Sequence, residues 1–195
     1  MPEAIATGAT PASLPLPARG LRLHGLPAVV SAQTVVLVLG SFPGAASLRA
    51  GAYYAHPQNH FWKILQALWP QHSLPPDYPA RCAWLLARGL GLWDVYASCE
   101  RAGSLDSSIR NPRVNDFSRL HGGCPRLAAV AHNGAESFRH SRAVLDGLDA
   151  GRANGSPGAA VAAVRLPSSS PANASWSFAR KLAAWAALMS AQRLL

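Results

Sequence analysis

Cysteine is scarce in this sequence, and its three residues lie far apart: Cys82, Cys99 and Cys124. No Cys-x-x-Cys pair is present, which argues against a zinc site or an iron–sulfur cluster built from thiols. His56 and His60 have the spacing of two zinc ligands on a helix, but Pro57 lies between them and the HExxH pattern is absent. We therefore expect free thiols in a reducing cytosol, with neither a metal nor a cofactor.

Long apolar runs are also missing. No window of about 18 apolar residues occurs, so we expect no transmembrane helix, and the N-terminus lacks the basic-then-apolar order of a secretory signal. A length of 195 residues suits one domain. Residues 1–20 are dominated by Pro, Ala, Ser and Thr and are predicted to be a disordered tail. Residues 21–195 then form the single domain, which we expect to be a cytoplasmic monomer, associated with the nucleoid in a prokaryote and not with a membrane.

Acidic residues are few: nine face eighteen basic ones, and the net charge is +9 at pH 7. Sixteen of the basic residues are arginines, with only Lys63 and Lys181 besides. Arginine binds phosphate through two hydrogen bonds and stacks on bases, so this excess favours a nucleic-acid partner. A GC-rich genome, which favours Arg and Ala codons, explains the charge equally simply. Walker, GxGxxG and Ser-His-Asp patterns are all absent.

Four near-continuous apolar runs predict strands that are buried on both faces. They lie at residues 34–39, 90–95, 127–131 and 161–166. Segments with the apolar spacing of helices alternate with them, at residues 61–68, 84–86, 135–145 and 178–189. This alternation predicts an α/β protein, a three-layer α/β/α sandwich with a central four-stranded parallel sheet.

The segment at residues 40–62, GSFPGAASLRAGAYYAHPQNHFW, follows the first predicted strand. Ligands of α/β folds bind beyond the carboxyl ends of strands, and the turn between Gly40 and Gly44 can point backbone N–H groups at a ligand oxygen. Flat side chains suited to stacking on a base lie in the same segment: Phe42, Tyr53 and Tyr54. Asn59 stands just before the first long helix, where an ordinary helix N-cap is the competing interpretation.

Three later positions also follow predicted strands. Asp94 ends the second strand, where burying a carboxylate without a partner is costly; it could cap a loop or accept a hydrogen bond from a substrate N–H. Asn133 and Gly134 are interpreted as a structural turn. Residues 166–178, LPSSSPANASWSF, leave the last strand and open a helix. Their hydroxyl and N–H groups could clamp a phosphate, although a serine-rich connector is equally consistent.

Taken in order, the GSFPG turn, the YYAHPQNHFW segment and the SSSPAN segment resemble the uracil-DNA glycosylase superfamily. The resemblance covers roughly residues 35–185 and is closest to the branch of hypoxanthine-DNA (deoxyinosine) glycosylases. It implies a four-stranded parallel sheet between helices. It also implies hydrolysis of the N-glycosidic bond of a deaminated base in DNA, the first step of base excision repair.

The resemblance implies roles for the matched residues. Phe42 stands in the turn where other branches carry a water-activating Asp or Asn, and Asn59 takes that catalytic role instead. Tyr54 matches the aromatic residue that stacks on the extruded base. Asp94 occupies the place of a base-reading Asn. The predicted base-binding residues are Gly40, Ser41, Phe42, Tyr54 and Asp94.

The SSSPAN segment matches a loop that presses on the minor groove and fills the vacated stack. Ser168 replaces its usual histidine, so an imidazolium that would stabilise the departing base is absent. The predicted DNA-binding residues are Ser168, Ser169, Ser170, Pro171 and Asn173. Neither lysine falls in a matched motif, so we expect a monofunctional hydrolase without strand cleavage, acting on DNA that contains deaminated bases.

Two other functions remain open at this level. The first is a uracil or mismatch glycosylase from another branch of the superfamily, because uracil and hypoxanthine both present an N–H beside a carbonyl group. The second is a domain that kept the fold and binds DNA without catalysis. Glycosylase activity separates the second from the first, and the preferred base separates the branches.

Overall fold

The fold is described by a computed structural model for residues 21–120, 122–151 and 160–195. The elements in chain order are β1 (Arg22–His24), β2 (Val36–Gly40), α1 (Ala45–Ala50), α2 (Phe61–Leu68), α3 (Tyr78–Leu86), β3 (Leu90–Asp94), β4 (Tyr96–Glu100), β5 (Arg110–Val114), β6 (Ala129–Asn133), α4 (Ala135–Phe138), α5 (Ser141–Ala150), β7 (Ala162–Leu166) and α6 (Phe178–Ala191). Short 3₁₀ turns occupy Asp106–Ser108 and Phe117–Leu120. The predicted tail at residues 1–20 lies outside the described residues.

The central sheet has four parallel strands in the order β3-β2-β6-β7, which confirms the predicted fold class. Strand β2 lies inside the sheet and is covered on both faces. Its Val36 and Val38 pack into one hydrophobic cluster, whereas Leu37 and Leu39 pack into another. Strand β7 departs from the prediction of full burial, because it forms the edge of the sheet and leaves Ala162 and Arg165 exposed.

Helices α2, α3 and α6 cover the Val36 face of the sheet. Helix α2 buries its apolar stripe there, and its Phe61 meets Trp185 of α6 edge to face, with ring centroids 5.6 Å apart. The predicted helices at residues 61–68 and 178–189 are confirmed almost to the residue. Among the described residues, no helix has both the length and the apolar character that crossing a membrane requires.

The opposite layer is mixed, which the sequence pattern did not predict. A three-stranded antiparallel sheet, β1-β4-β5, covers the Leu37 face together with α5. Strand β5 reads RNPRV and is exposed along its whole length, so it carries no apolar signal. The predicted helix at residues 135–145 is in fact two helices, because the chain turns at Arg139 and His140 between α4 and α5.

Substitutions of Trp185 test how much side-chain packing on the Val36 face contributes to stability. Its side chain is fully buried, and its indole N–H has no hydrogen-bond partner among the described residues. We predict that Trp185→Ala lowers the free energy of unfolding by about 3–5 kcal/mol, as for other buried aromatic truncations. Trp185→Phe should lose much less, because it keeps a ring and removes an unpaired polar group. Urea titration followed by circular dichroism measures both; equal losses would contradict the packing role.

Candidate active site

The carboxyl ends of the central strands bring the predicted site together. Gly40 at the end of β2 pairs in register with Asp94 at the end of β3, and Asn133 at the end of β6 pairs with Leu166 of β7. After β2 the chain forms β3 on one side of it, and it later returns to form β6 on the other side. Such a reversal opens a crevice beyond the strand ends, where α/β folds bind ligands.

The position of the Asp94 side chain requires glycine at residue 40. A Cβ atom placed on Gly40 would lie 2.3 Å from Oδ1 of Asp94 and 3.7 Å from the hydroxyl oxygen of Tyr54. The first distance is shorter than any tolerated contact, so a larger residue would displace the carboxyl group. The missing side chain at Gly40 therefore lets the Asp94 carboxyl group occupy this position, with the Tyr54 hydroxyl nearby.

The Asp94 carboxyl group is buried, with 3% of the residue exposed, and its Oδ2 has no hydrogen-bond partner among the described residues. Burial raises the pKa of Asp94 from 3.8 to about 8; the nearby Arg101 guanidinium lowers it and Asp106 raises it further. The effect of burial on the pKa of Asp94 exceeds that of Arg101, because Arg101 makes no ion pair with Asp94 in the described part of the chain. Asp94 is therefore a neutral acid below about pH 8.

Arg101 follows β4 and lies over the ring of Phe42, with its guanidinium carbon 5.0 Å from the ring centroid. One of its terminal nitrogens donates to the carbonyl oxygen of Pro43. Its Nε and Nη1 are buried without a partner among the described residues. A guanidinium with unused donors thus stands over the turn that follows β2.

A hydrogen-bond network joins three loops at the strand ends. The amide nitrogen of Asn133 donates to the Tyr54 hydroxyl at 3.1 Å and to the Ser169 hydroxyl at 2.9 Å, and the Ser169 backbone N–H returns a bond of 2.8 Å to Asn133 Oδ1. The backbone N–H of His60 donates to the Ser169 carbonyl at 3.0 Å. Asn133 therefore fixes the segment around Tyr54 against the SSSPAN loop.

Tyr54 is held in an unusual conformation. Its φ is 55°, in the left-handed region that few non-glycine residues adopt, and its ring stacks on Phe61 with centroids 3.9 Å apart. Such strain persists only where surrounding contacts over-determine it. The residue is half-buried and packs against the hydrophobic cluster on the Val36 face, with Phe61 against one face of its ring.

Asn59 lies at the start of α2, where its side-chain oxygen accepts a 2.9 Å hydrogen bond from the Phe61 N–H. The N-cap of α2 is His60, which makes no side-chain cap bond, so Asn59 braces the first N–H of the helix from one residue before the cap. A carbonyl oxygen has two lone pairs, so the same atom can also hold a water molecule. The bond from His60 to Ser169 places Asn59 next to the network described above.

The SSSPAN loop is braced from within. Ser169 is fully buried and bonds to Asn133 and His60, so it does not face outward to a phosphate. Ser168 and Ser170 are partly buried, and their hydroxyl oxygens accept backbone N–H groups of the loop itself. Buried Lys181 of α6 donates to the Ser170 carbonyl from below. The exposed tip of the loop is Pro171 and Ala172.

Two predicted base-binding residues lie deeper than a base contact needs. Phe42 is 6% exposed and belongs to the hydrophobic cluster on the Leu37 face. Ser41 is buried, and its hydroxyl donates to Asp106 Oδ1 at 2.5 Å. Both side chains support the turn after β2 from within.

The sequence interpretation missed Asn133 as a member of the site. It was interpreted as a turn residue, although its position at the end of a predicted strand was a signal of the same kind as that of Asp94. The position of Arg101 near Asp94 had no such signal, because it depends on the unpredicted antiparallel sheet. Within the described ranges, no three His, Cys, Asp or Glu residues gather as a metal ion would require.

Comparisons with known proteins agree with this architecture. The family model for the uracil DNA glycosylase superfamily matches residues 27–189. A hypoxanthine DNA glycosylase of Methanosarcina barkeri is 36% identical over 117 residues, 60% of this chain and 74% of the relative. One of Methanosarcina acetivorans is 35% identical over 114 residues, 58% and 72% of the two chains. A solution NMR structure from M. acetivorans, described as a candidate uracil DNA glycosylase, superimposes with a TM-score of 0.72 at 31% identity, covering 89% of this chain and 99% of that one.

The raised pKa of Asp94 predicts how stability depends on pH. Between the unfolded pKa of 3.8 and the folded value of about 8, the unfolded chain releases a proton that the folded protein retains. The free energy of unfolding should therefore fall with rising pH by as much as about 1.4 kcal/mol per pH unit from this group.

Asp94→Asn removes that titration, so we expect the variant to gain stability over the wild type as pH rises from 5 to 8. Thermal unfolding of both proteins in parallel buffers measures the difference in Tm. A gap that stays constant across this range would contradict a neutral buried Asp94.

Proposed function

The chain belongs to the uracil DNA glycosylase superfamily, and from that premise we propose that its preferred substrate is hypoxanthine in DNA. It is a DNA glycosylase that hydrolyses the N-glycosidic bond of deaminated bases and so initiates base excision repair. The observation that carries the choice of site is the polar cluster at the strand ends. There a buried carboxyl group, whose Oδ2 has no partner among the described residues, lies close to Gly40, as does the Tyr54 hydroxyl.

Extrusion of the nucleotide is the first step. Removing a base from the stack costs a few kcal/mol, and less at a damaged pair. The exposed Pro171–Ala172 tip is apolar and suited to enter the vacated stack, as apolar wedges do in other DNA-bending proteins. Asn133 and Lys181 hold the adjacent Ser169 and Ser170, just before this tip, against the body of the protein. Ser169 acts in this account as a positioning residue, in place of the phosphate contact expected from the sequence.

The extruded base is held by stacking and by hydrogen bonds. Tyr54 offers an aromatic surface supported by Phe61, and stacking on such a surface contributes about 1–3 kcal/mol per base. Asp94 faces the base edge as the reading group. Hypoxanthine presents an N–H beside a carbonyl oxygen, and a carboxyl group matches both.

Water then attacks the sugar as the bond to the base breaks. The sugar develops oxocarbenium character, so the water needs positioning more than deprotonation. Asn59 has no accessible pKa and orients this water through its side-chain oxygen. The turn at residues 40–44 offers backbone N–H groups to the negative charge that develops on the base.

Contacts to the DNA backbone extend beyond the strand ends. A groove of about 460 Å³ separates the N-terminal ends of α2 and α6, lined by exposed Lys63 and by Pro171, Asn173 and Trp176 among others. It adjoins the loop proposed to enter the stack. With a net charge of +9, affinity for DNA should fall steeply with salt concentration.

The experiment that tests the function uses matched duplexes with a single hypoxanthine, uracil, xanthine or normal base. After incubation, alkali cleaves the strand at every abasic site. We expect release of hypoxanthine to be fastest, no release from the unmodified duplex, and no strand cleavage before alkali. Activity on uracil alone would assign the chain to another branch of the superfamily, and binding without release of any base would leave only a DNA-binding domain.

Asn59 combines a proposed catalytic role with a visible bond to the first N–H of α2, and variants can separate the two. Asn59→Ala should lower the single-turnover rate by about 10²-fold or more, the scale of one lost positioned polar group. Asn59→Asp should retain more activity, because a carboxylate holds both the water and the Phe61 N–H. Affinity for DNA with an uncleavable lesion should change little, since the water matters mainly in the transition state.

Asp77→Ala provides a control for the bond that Asn59 makes to the start of a helix. Asp77 caps α3 by accepting a hydrogen bond from the Ala80 N–H, so both alanine variants should lose up to about 1 kcal/mol of stability. Only the Asn59 variant should lose turnover. If both variants keep near-normal rates, Asn59 only braces the start of α2 and the water is held by another group.

A further inference from the structure

Asp94 has a feature that base recognition by a carboxylate does not explain. The residue is 3% exposed, yet Oδ2 has no hydrogen-bond partner among the described residues. A buried ionised oxygen without a donor is strongly unfavourable. Arg101 could in principle donate to this oxygen, and its Nε and Nη1 also have no partner among the described residues. Nevertheless, Arg101 forms no ion pair with Asp94 in the described part of the chain. The carboxyl group is thus built to be neutral, with one oxygen free for a ligand.

The groups that face Asp94 are one cation, one anion and three phenols. Arg101, after β4, favours the ionised form, and Asp106, in the 3₁₀ turn before β5, opposes it. Tyr53 and Tyr54 before α2, and Tyr78 of α3, also lie within electrostatic reach, and in each of them burial is the main cause of a raised pKa. The three phenols are uncharged at neutral pH, so only Arg101 and Asp106 contribute charge.

We propose that Asp94 acts as a neutral carboxylic acid that donates a hydrogen bond to a carbonyl oxygen of the extruded base and stabilises the negative charge of the leaving base. The inference rests on the proposed function and adds a catalytic role to base reading. In this chain Ser168 stands where the resemblance leads one to expect an imidazolium, so an acidic donor would add to the backbone N–H groups of the turn at residues 40–44. Asp94 is the buried acid at the strand ends with an oxygen to spare.

The chemistry balances without any other reactant. The bond between C1′ of the sugar and the base nitrogen breaks, and its electron pair moves onto the base, where the carbonyl oxygen shares the charge. The O–H of Asp94 donates to that oxygen and keeps its proton, while the carboxyl C=O accepts the neighbouring N–H. Water forms the new bond to C1′, and its released proton neutralises the base through solvent. A carboxylate in the same place would repel the departing anion.

The test is the pH dependence of single-turnover cleavage of a hypoxanthine duplex with enzyme in saturating excess. Since the pKa of Asp94 is about 8, we expect the wild-type rate to fall by about tenfold per pH unit above that value, as one ionising acid requires. Asp94→Asn keeps a neutral donor and acceptor, so it should retain activity within about threefold at pH 6.5 and lose this decline. Asp94→Ala should be about 10²-fold slower at every pH.

Two further variants keep the result interpretable. Asp146→Asn removes a surface carboxylate that pairs with Arg142 on α5, and it should leave the decline unchanged. Arg101→Gln removes the cation that lowers the pKa of Asp94, so it should shift the decline to higher pH. Ionisation of the substrate base affects all variants alike and cancels in the comparison with Asp94→Asn.

The outcomes separate this inference from the function on which it rests. A wild type that releases no deaminated base at any pH overturns the proposed function. An active wild type whose alkaline decline persists unchanged in Asp94→Asn overturns the neutral-acid role alone. So does an Asp94→Asn protein that folds normally but is as slow as Asp94→Ala at pH 6.5. A decline that disappears in Asp94→Asn and moves upward in Arg101→Gln supports the inference.

Discussion

The burial of one carboxyl group is the constraint on which the site depends. Asp94 ends a strand inside the protein, and its side chain occupies the space that a Cβ atom on Gly40 would need. Water is excluded there, and Arg101 remains too far away for an ion pair in the described structure. The carboxyl group consequently stays protonated at neutral pH. A group that would oppose an anionic leaving base when charged can thus favour its departure.

The rest of the site is arranged around that carboxyl group by a single amide. Asn133 bonds to the Tyr54 hydroxyl and to two groups of Ser169, so three segments distant in sequence are held at one edge of the sheet. Strain in the backbone of Tyr54 is compatible with this role, because both its hydroxyl group and its ring, stacked on Phe61, are fixed. Rigid strands supply the frame, and the loops carry the chemistry.

Much of this could be predicted from the sequence, for identifiable reasons. The four strands of the central sheet are short apolar runs, and Asp94 was recognisable as a polar residue that ends one of them. The antiparallel sheet escaped prediction because β5 is exposed throughout, and the position of Arg101 near Asp94 escaped with it. Ser169 and Phe42 were assigned to ligand contact from side-chain chemistry and motif position. Burial is a tertiary property, and the structure places both side chains inside the protein.

The protonation state of Asp94 is the central claim, and it can be observed directly. In protein labelled with ¹³C at aspartate, the Cγ resonance of Asp94 is identified by its absence from the spectrum of Asp94→Asn and is then followed from pH 4 to pH 10. We expect a titration midpoint near 8, with the resonance of a protonated acid at pH 6.5. A midpoint near the unfolded value of 3.8 would contradict it, because the carboxyl group would then be ionised in the working enzyme.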